Sequence, residues 1–145
     1  MTQIDFYTNA LDKLVTACRL AQKGYTLGHR VLALCADAET AQRLDRILWT
    51  TPATGFTPHC DAAHPLANVT PIVIDHRGGE PAHDQVLLNL REESPALFTR
   101  FDRLIEIVSC DDEDKRLARS RYKFYRDRGY EIRVHDLAES APPSA

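Results

Sequence analysis

The chain has 145 residues, 43% of them apolar, a length that suits one compact domain and leaves little room for a second. Lys and Arg total 18 against 21 Asp and Glu, and the resulting net charge of -3 taken alone argues against a nucleic-acid coat protein. No run approaches the ~18 apolar residues of a membrane span, Met1 to Tyr7 lacks a signal-peptide pattern, and Cys18, Cys35, Cys60 and Cys110 form no CxxC pair. A cytoplasmic protein with reduced thiols and no membrane contact is expected.

Strand and helix signals alternate along the chain. Gln3 to Tyr7 is a short β-prone run, followed by a helical stretch from about Ala10 to Lys23 with Leu11, Leu14, Val15, Cys18 and Ala21 on one stripe and Gly24 at its stop. Arg30 to Ala36 is the nearly all-apolar run of a strand buried on both faces, and Ala38 to Trp49 is amphipathic with Ala41, Leu44, Ile47 and Leu48 inward. Thr50 to Glu80 is rich in Pro, Gly, His and Thr, interrupted by a buried-strand pattern at Pro71 to Asp75. Gln85 to Leu90 and Arg103 to Val108 read as further strands, with Ser94-Pro95 opening a short helix through Phe98 between them. A last helix spans about Asp112 to Arg128. Its first turn is acidic, its last turn basic, and Gly129 stands where a left-handed terminator belongs. Tyr130 to Val134 can close the sheet. The expected fold is a single three-layer Rossmann-like α/β domain over residues 1–137, with a mainly parallel sheet, helices on both faces, and a frayed polar tail at 138–145.

Such a fold raises the question of nucleotide binding at the turn after the first strand. That turn reads Thr8-Asn9-Ala10 without glycine, and neither GxGxxG nor GxxxxGK[ST] occurs, so no phosphate-binding loop and no cofactor are expected; Gly78-Gly79 reads as a plain turn. Cys35, near a strand's carboxyl end, reads as a core thiol in preference to a nucleophile, since no His or carboxylate is marked as its partner. His59, Cys60 and His64 match no closed zinc site, and His29, His76, His83 and His135 read as surface or strand-end residues. No metal and no catalytic constellation is expected.

The strong signal is the last helix. Between Lys115 and Arg128 stand seven basic residues and one acid, a local charge of +6, while the rest of the chain carries −9. With about 100° of turn per residue, Lys115, Arg116, Arg119, Lys123 and Arg126 share one face with Tyr122 on its border. Leu117 and Phe124 lie opposite and should pack on the sheet with Tyr125 and Ala118 along the flank; Arg121 and Arg128 must snorkel or find carboxylates. Solvated helices normally interleave signs, because like charges at i,i+4 repel by a few tenths of a kcal/mol. A stripe of one sign therefore points to a polyanionic partner, either a nucleic-acid backbone or an acidic peptide. The surrounding negative charge favours a short acidic segment, and Tyr122 with Val108 offers an apolar anchor beside it. A direct single-stranded nucleic-acid module using helix 112–128 is the alternative. Separately, Trp49 at a helix end and Phe56 in the following loop form either a core lid or a protein-binding anchor.

These residues resemble the chi subunit family of the bacterial DNA polymerase III holoenzyme. The likeness runs from Asp5-Phe6-Tyr7 to about Val134, through Gly28-His29-Arg30-Val31-Leu32, Ala41-Gln42-Arg43-Leu44-Asp45 to Leu48-Trp49, Phe56-Thr57-Pro58-His59, and Lys115, Leu117-Ala118-Arg119, Arg121-Tyr122-Lys123 and Tyr125-Arg126. The resemblance implies a non-catalytic adaptor in DNA replication. It would bind the acidic, phenylalanine-ending C-terminal tail of single-stranded DNA-binding protein through Val108, Lys115, Arg119, Tyr122 and Lys123. A second surface with Trp49, Phe56 and Pro58 would dock psi or another clamp-loader subunit, a surface also associated in the family with a repair helicase. No direct DNA binding is implied. Ser109-Cys110 and Asp114 depart from the larger or apolar residues expected there, which should alter the shape of the pocket for the terminal aromatic.

Overall fold

Seven strands join in one sheet in the computed structural model, which describes residues 1–50 and 57–140. They are β1 (Gln3–Ala10), β2 (Val31–Leu34), β3 (His59–Asp61), β4 (Ile72–Asp75), β5 (Val86–Asn89), β6 (Arg103–Ser109) and β7 (Ile132–Asp136), in the spatial order β3-β4-β2-β5-β6-β1-β7. Every pairing is parallel. Side chains alternate between two cores. Val31, Ala33, Ile72, Ile74, Leu88, Ile105 and Ile107 meet α1 (Lys13–Thr26) and α2 (Ala38–Thr50) on one face, and Ile4, Phe6, Leu32, Val73, Leu87, Leu104 and Val108 meet α3 (Asp112–Asp127) and Phe98 on the other. The result is the three-layer Rossmann-like α/β fold that the alternating pattern implies. Among the described residues no helix is long and apolar enough to cross a membrane.

The connections place the site. Helix α1 leaves β1 on one face and α3 leaves β6 on the other, heading in opposite directions across the sheet, although β1 and β6 are neighbours. Their carboxyl ends therefore form a topological switch point, where the departing chains open a crevice.

Several local readings change. Strand β1 continues through Ala10, so α1 starts at Lys13, where the Asp12 carboxylate accepts from the main-chain N–H of Leu14 (3.1 Å) and Val15 (3.2 Å). Leu11 consequently precedes the helix and is 96% exposed, off the inward stripe. Gly24 is not the stop. It lies inside α1, where a Cβ would come within 2.9 Å of Val31 Cγ2, so the absent side chain is what lets the helix approach β2. The terminator is Gly28 at φ 83°, and the His29 N–H returns 2.8 Å to the Gly24 carbonyl. Replacing Gly28 by alanine should lower the unfolding free energy by about 1–2 kcal/mol, because a Cβ is disfavoured in the left-handed region; urea denaturation would read this directly.

Ser94-Pro95 opens no α-helix. The chain makes a 3-10 turn at Phe98–Arg100, and a second at Ala67–Val69. Strand β3 was hidden in the Pro- and His-rich stretch, because three residues at a sheet edge show no periodicity. Where composition predicts a frayed tail from Ala138, Leu137–Ser140 forms one helical turn, α4, with Leu137 packed on the core. His83 is buried against Phe101, a correction to its surface reading, and burial pushes its imidazole pKa down.

Candidate functional site

The crevice at the switch point holds a cavity of about 320 Å³, lined by Phe6, Thr8 and Asn9 of β1, Val108 of β6, Lys115, Ala118, Arg119 and Tyr122 of α3, and Val134 of β7. Four of the five residues expected to bind an acidic tail meet here: Val108, Lys115, Arg119 and Tyr122. Lys123 does not line the cavity and continues the cationic row outside it, exposed on α3. Val108 is 5% exposed and serves as floor, while Tyr122 forms a wall, its ring edge-on to Phe6 at 5.5 Å.

The charge pattern within the basic stripe is uneven. Arg116 is neutralised by Glu113, with Nε and Nη2 at 2.8 and 2.6 Å from its two oxygens, and Arg126 lies 3.3 Å from Asp127. Arg128 lies over the Phe124 ring, 3.6 Å from its centroid. Among the described residues Lys115, Arg119 and Lys123 have no carboxylate in ion-pair range. They stand one helical turn apart, so the row spans about 12 Å. Two uncompensated cations thus line an apolar cavity, and a third continues their row beyond it.

The rotation of α3 differs from the sequence reading. Its buried residues are Ala118, Arg121 and Tyr125, whereas Leu117 and Phe124 are only half-buried. The cause is electrostatic. Glu106, fully buried on β6, accepts from Arg121 Nε (3.0 Å), the Tyr125 hydroxyl (2.6 Å) and Asn89 Nδ2 (3.0 Å), and Arg121 also donates to the Glu92 carbonyl at 2.7 Å. Burial pushes the Glu106 carboxyl above its ordinary pKa range, opposed by Arg121, Tyr125 and Asn89, and burial with the adjacent carboxylate raises the Tyr125 phenol. A buried carboxylate demands these donors, and meeting it turns Tyr122 toward the cavity.

Asp114 holds the upper end of the site together. It accepts from the Ser109 N–H (2.8 Å) and from Lys13 Nζ (3.0 Å), joining the β6 exit to the start of α1. Burial pushes its carboxyl up, but these donors outweigh that and hold it below the ordinary range. The staple therefore adds stability above the unfolded pKa and loses it as pH falls through the folded one. The departure from an apolar residue at this position is thus a cross-link in the frame, set apart from the cavity lining.

Elsewhere, Cys35 is fully buried and its thiol is pushed up to about 12 by burial, with Asp37 and Asp75 adding to the shift. Arg91 spans the neighbouring strand ends, donating to the carbonyls of Cys35 and His76 at 3.0 Å each. His59 is engaged by the Thr57 carbonyl (2.7 Å) and Asp45 (3.3 Å), and among the described residues no group of His, Cys, Asp or Glu is arranged to hold a metal. Trp49 is 61% exposed at the end of α2, its ring edge-on to His59 at 5.0 Å, with Pro58 half-buried nearby; Phe56 lies outside the described residues.

The lining residues that sequence reasoning missed are Ala118, read as packing along the flank of α3, and Phe6, Thr8, Asn9 and Val134, which reach the cavity only through the pairing of β1 with β6 and β7.

A family model described as DNA polymerase III chi subunit, HolC, matches residues 1–133. Proteins named DNA polymerase III subunit chi are similar to the chain: one from Pseudomonas aeruginosa is 34% identical over 94% of this chain and 98% of its own length. One from Escherichia coli is 34% identical over 86% of this chain and 84% of its own length, and one from Haemophilus influenzae is 31% identical over 83% and 85%.

Proposed function

The chain belongs to the DNA polymerase III chi subunit family, and on that footing we propose that it is a non-catalytic adaptor whose switch-point cavity takes the acidic, phenylalanine-ending C-terminal tail of single-stranded DNA-binding protein. One observation carries the reading: of the three stripe cations lacking a carboxylate among the described residues, Lys115 and Arg119 line a cavity shared with Phe6, Val108, Ala118, Tyr122 and Val134, and Lys123 continues their row beyond it. A terminal aromatic enters the cavity, and upstream carboxylates meet the row of cations. Exposed ion pairs contribute modest energies each, so the affinity is about micromolar and falls with added salt.

A fluorescence-anisotropy titration with a labelled acidic peptide ending in Phe tests this. Saturable binding that weakens between low and physiological salt is expected. Unlabelled single-stranded DNA should compete poorly, because charge outside Lys115–Arg128 sums to −9. Tight binding to bare DNA that the peptide does not displace would favour the nucleic-acid module instead.

The second partner surface is proposed around Trp49 and Pro58, for psi or another clamp-loader subunit; Phe56, the third residue expected there, lies outside the described residues. Its support is the exposure of a tryptophan bordering a groove with Gln42, Asp45, Arg46 and His76. Trp49→Ala should weaken capture of that subunit by about 2 kcal/mol, a typical loss for a buried aromatic anchor, and leave peptide affinity unchanged. Pull-down and the peptide titration, run on the same variant, separate the two surfaces.

A further inference from the structure

Strand β1 is irregular where it borders the cavity. Tyr7 pairs with Ile107 and Ala10 with Ser109, so Thr8 and Asn9 together stand opposite the single Val108, a bulge that bends the strand. Both residues line the cavity. On the other side of β1, pairing with β7 ends at Thr8 and Asp136, one residue short of Asn9. Asn9 thus has no partner in the register of either neighbouring strand, and it is the one non-glycine among the described residues at positive φ, 60°. Asparagine tolerates left-handed backbone better than most residues, yet its Cβ is still crowded there, so the conformation needs a hold. Asp136 supplies it. The Asn9 side-chain amide donates 2.8 Å to Asp136 Oδ1, and the same oxygen accepts the Ala138 N–H at 2.9 Å, which sets the first turn of α4. That turn is itself anchored, because Leu137 packs on the core of the α1 face. A chain of contacts therefore runs from the core through α4 and Asp136 to the cavity wall.

We infer that Asp136 is a positioning residue of the peptide site: its carboxylate latches Asn9 in the left-handed conformation, and the latched bulge gives the cavity the width that an aromatic side chain fills. This rests on the proposed tail-binding function and adds to it a residue that shapes the pocket from outside. Asp136 does not line the cavity, and it lies past residue 133, where the family match ends. Charge alone would give it the opposite role. A carboxylate one hydrogen bond from the wall of a site for acidic peptides repels the ligand, so what Asp136 contributes to binding is geometry. Without the latch Asn9 relaxes toward negative φ. Only the molecules that keep the bulge then bind, and the apparent affinity falls in proportion to their fraction.

The test is a titration of the labelled acidic peptide ending in Phe against the full chain, as wild type and with Asp136→Ala, Asp136→Asn, Asn9→Gly, and Asn9→Gly combined with Asp136→Ala, each checked by a thermal melt. Asp136→Ala should weaken binding about fivefold, and the loss should persist at high salt, since it arises from shape and not from the cations. Asp136→Asn keeps an acceptor oxygen for Asn9 and loses the charge, so it should bind at least as tightly as wild type. Glycine reaches positive φ unaided, so Asn9→Gly should stay within about twofold of wild type and make Asp136→Ala silent. A role confined to fold stability would weaken Asp136→Ala in both backgrounds, and that result would overturn the assignment. So would an Asp136→Ala that binds as wild type does or more tightly, or an Asp136→Asn as weak as Asp136→Ala. In all these cases the tail-binding reading stands. Failure of wild type to bind the peptide at all would remove that reading, and the latch with it.

Discussion

Glu106→Ala should lower the unfolding free energy by about 3–5 kcal/mol, the largest effect expected of any single substitution in this chain, because it strands the Arg121 guanidinium in the core without its counter-charge. Arg121 is 2% exposed and Glu106 fully buried, so water cannot replace the lost partner. Tyr125 and Asn89 would lose their acceptor at the same time. The attribution to an uncompensated charge is checked by Glu106→Gln alone and together with Arg121→Met. Glutamine keeps an acceptor for the Tyr125 hydroxyl but leaves the cation unpaired, so the single variant should be strongly destabilised. Removing the cation as well should recover most of the loss. Urea denaturation of the three variants reads both numbers. A double variant no more stable than Glu106→Gln would show that side-chain volume, and not charge, sets the requirement.

That ion pair also marks where the sequence stops being informative. The bounds of α3 are legible because its signals are local: Asp111 accepts from the Asp114 N–H at 3.1 Å, acids fill the first turn, and Gly129 follows the last. Its rotation is not, since the apolar stripe of Leu117 and Phe124 is outweighed by a carboxylate on β6, fifteen residues upstream of Arg121. A hydrophobicity pattern treats Arg121 as a surface residue, and nothing within the helix says otherwise. The same division holds for the site. Lys115, Arg119, Tyr122 and Lys123 lie on one helix and can be read together from their spacing. Phe6 and Val134 become neighbours only through parallel pairing of strands more than a hundred residues apart, and the Thr8–Asn9 bulge exists only relative to β6. The one local trace is Asn9 itself, a residue that tolerates positive φ placed directly after a β-prone run. Leu11 leaves the inward stripe for a related reason: the longer β1 delays the helix, and periodicity carries no sign of a strand that outlasts its apolar residues.

Arg119→Ala combined with Lys123→Ala should weaken binding of an acidic Phe-ending peptide by ten- to a hundredfold at low salt, about 1.4–2.8 kcal/mol, with no more than a small change in stability. Arg116 and Arg126 are each matched by a neighbouring carboxylate, so those pairs offer an incoming anion little net charge; Arg119 and Lys123 face none among the described residues, so their charge is felt in full. Glu113→Ala combined with Arg116→Ala, which removes a paired acid and base together one turn away, is therefore the control, with an expected change below twofold. The loss in the double variant should shrink as salt rises, because screening has then already taken most of what the two cations supply. Tyr122→Ala should behave differently. It removes a cavity wall in contact with Phe6, so its effect on affinity should persist at high salt. Equal salt dependence for Arg119→Ala/Lys123→Ala and Tyr122→Ala would separate the cations from the site. A double variant that binds the peptide as wild type does would remove the helix face from the interaction altogether. The two slopes, read side by side, divide the affinity into an electrostatic share along α3 and an apolar share inside the cavity, which is the division that a net charge of -3 conceals.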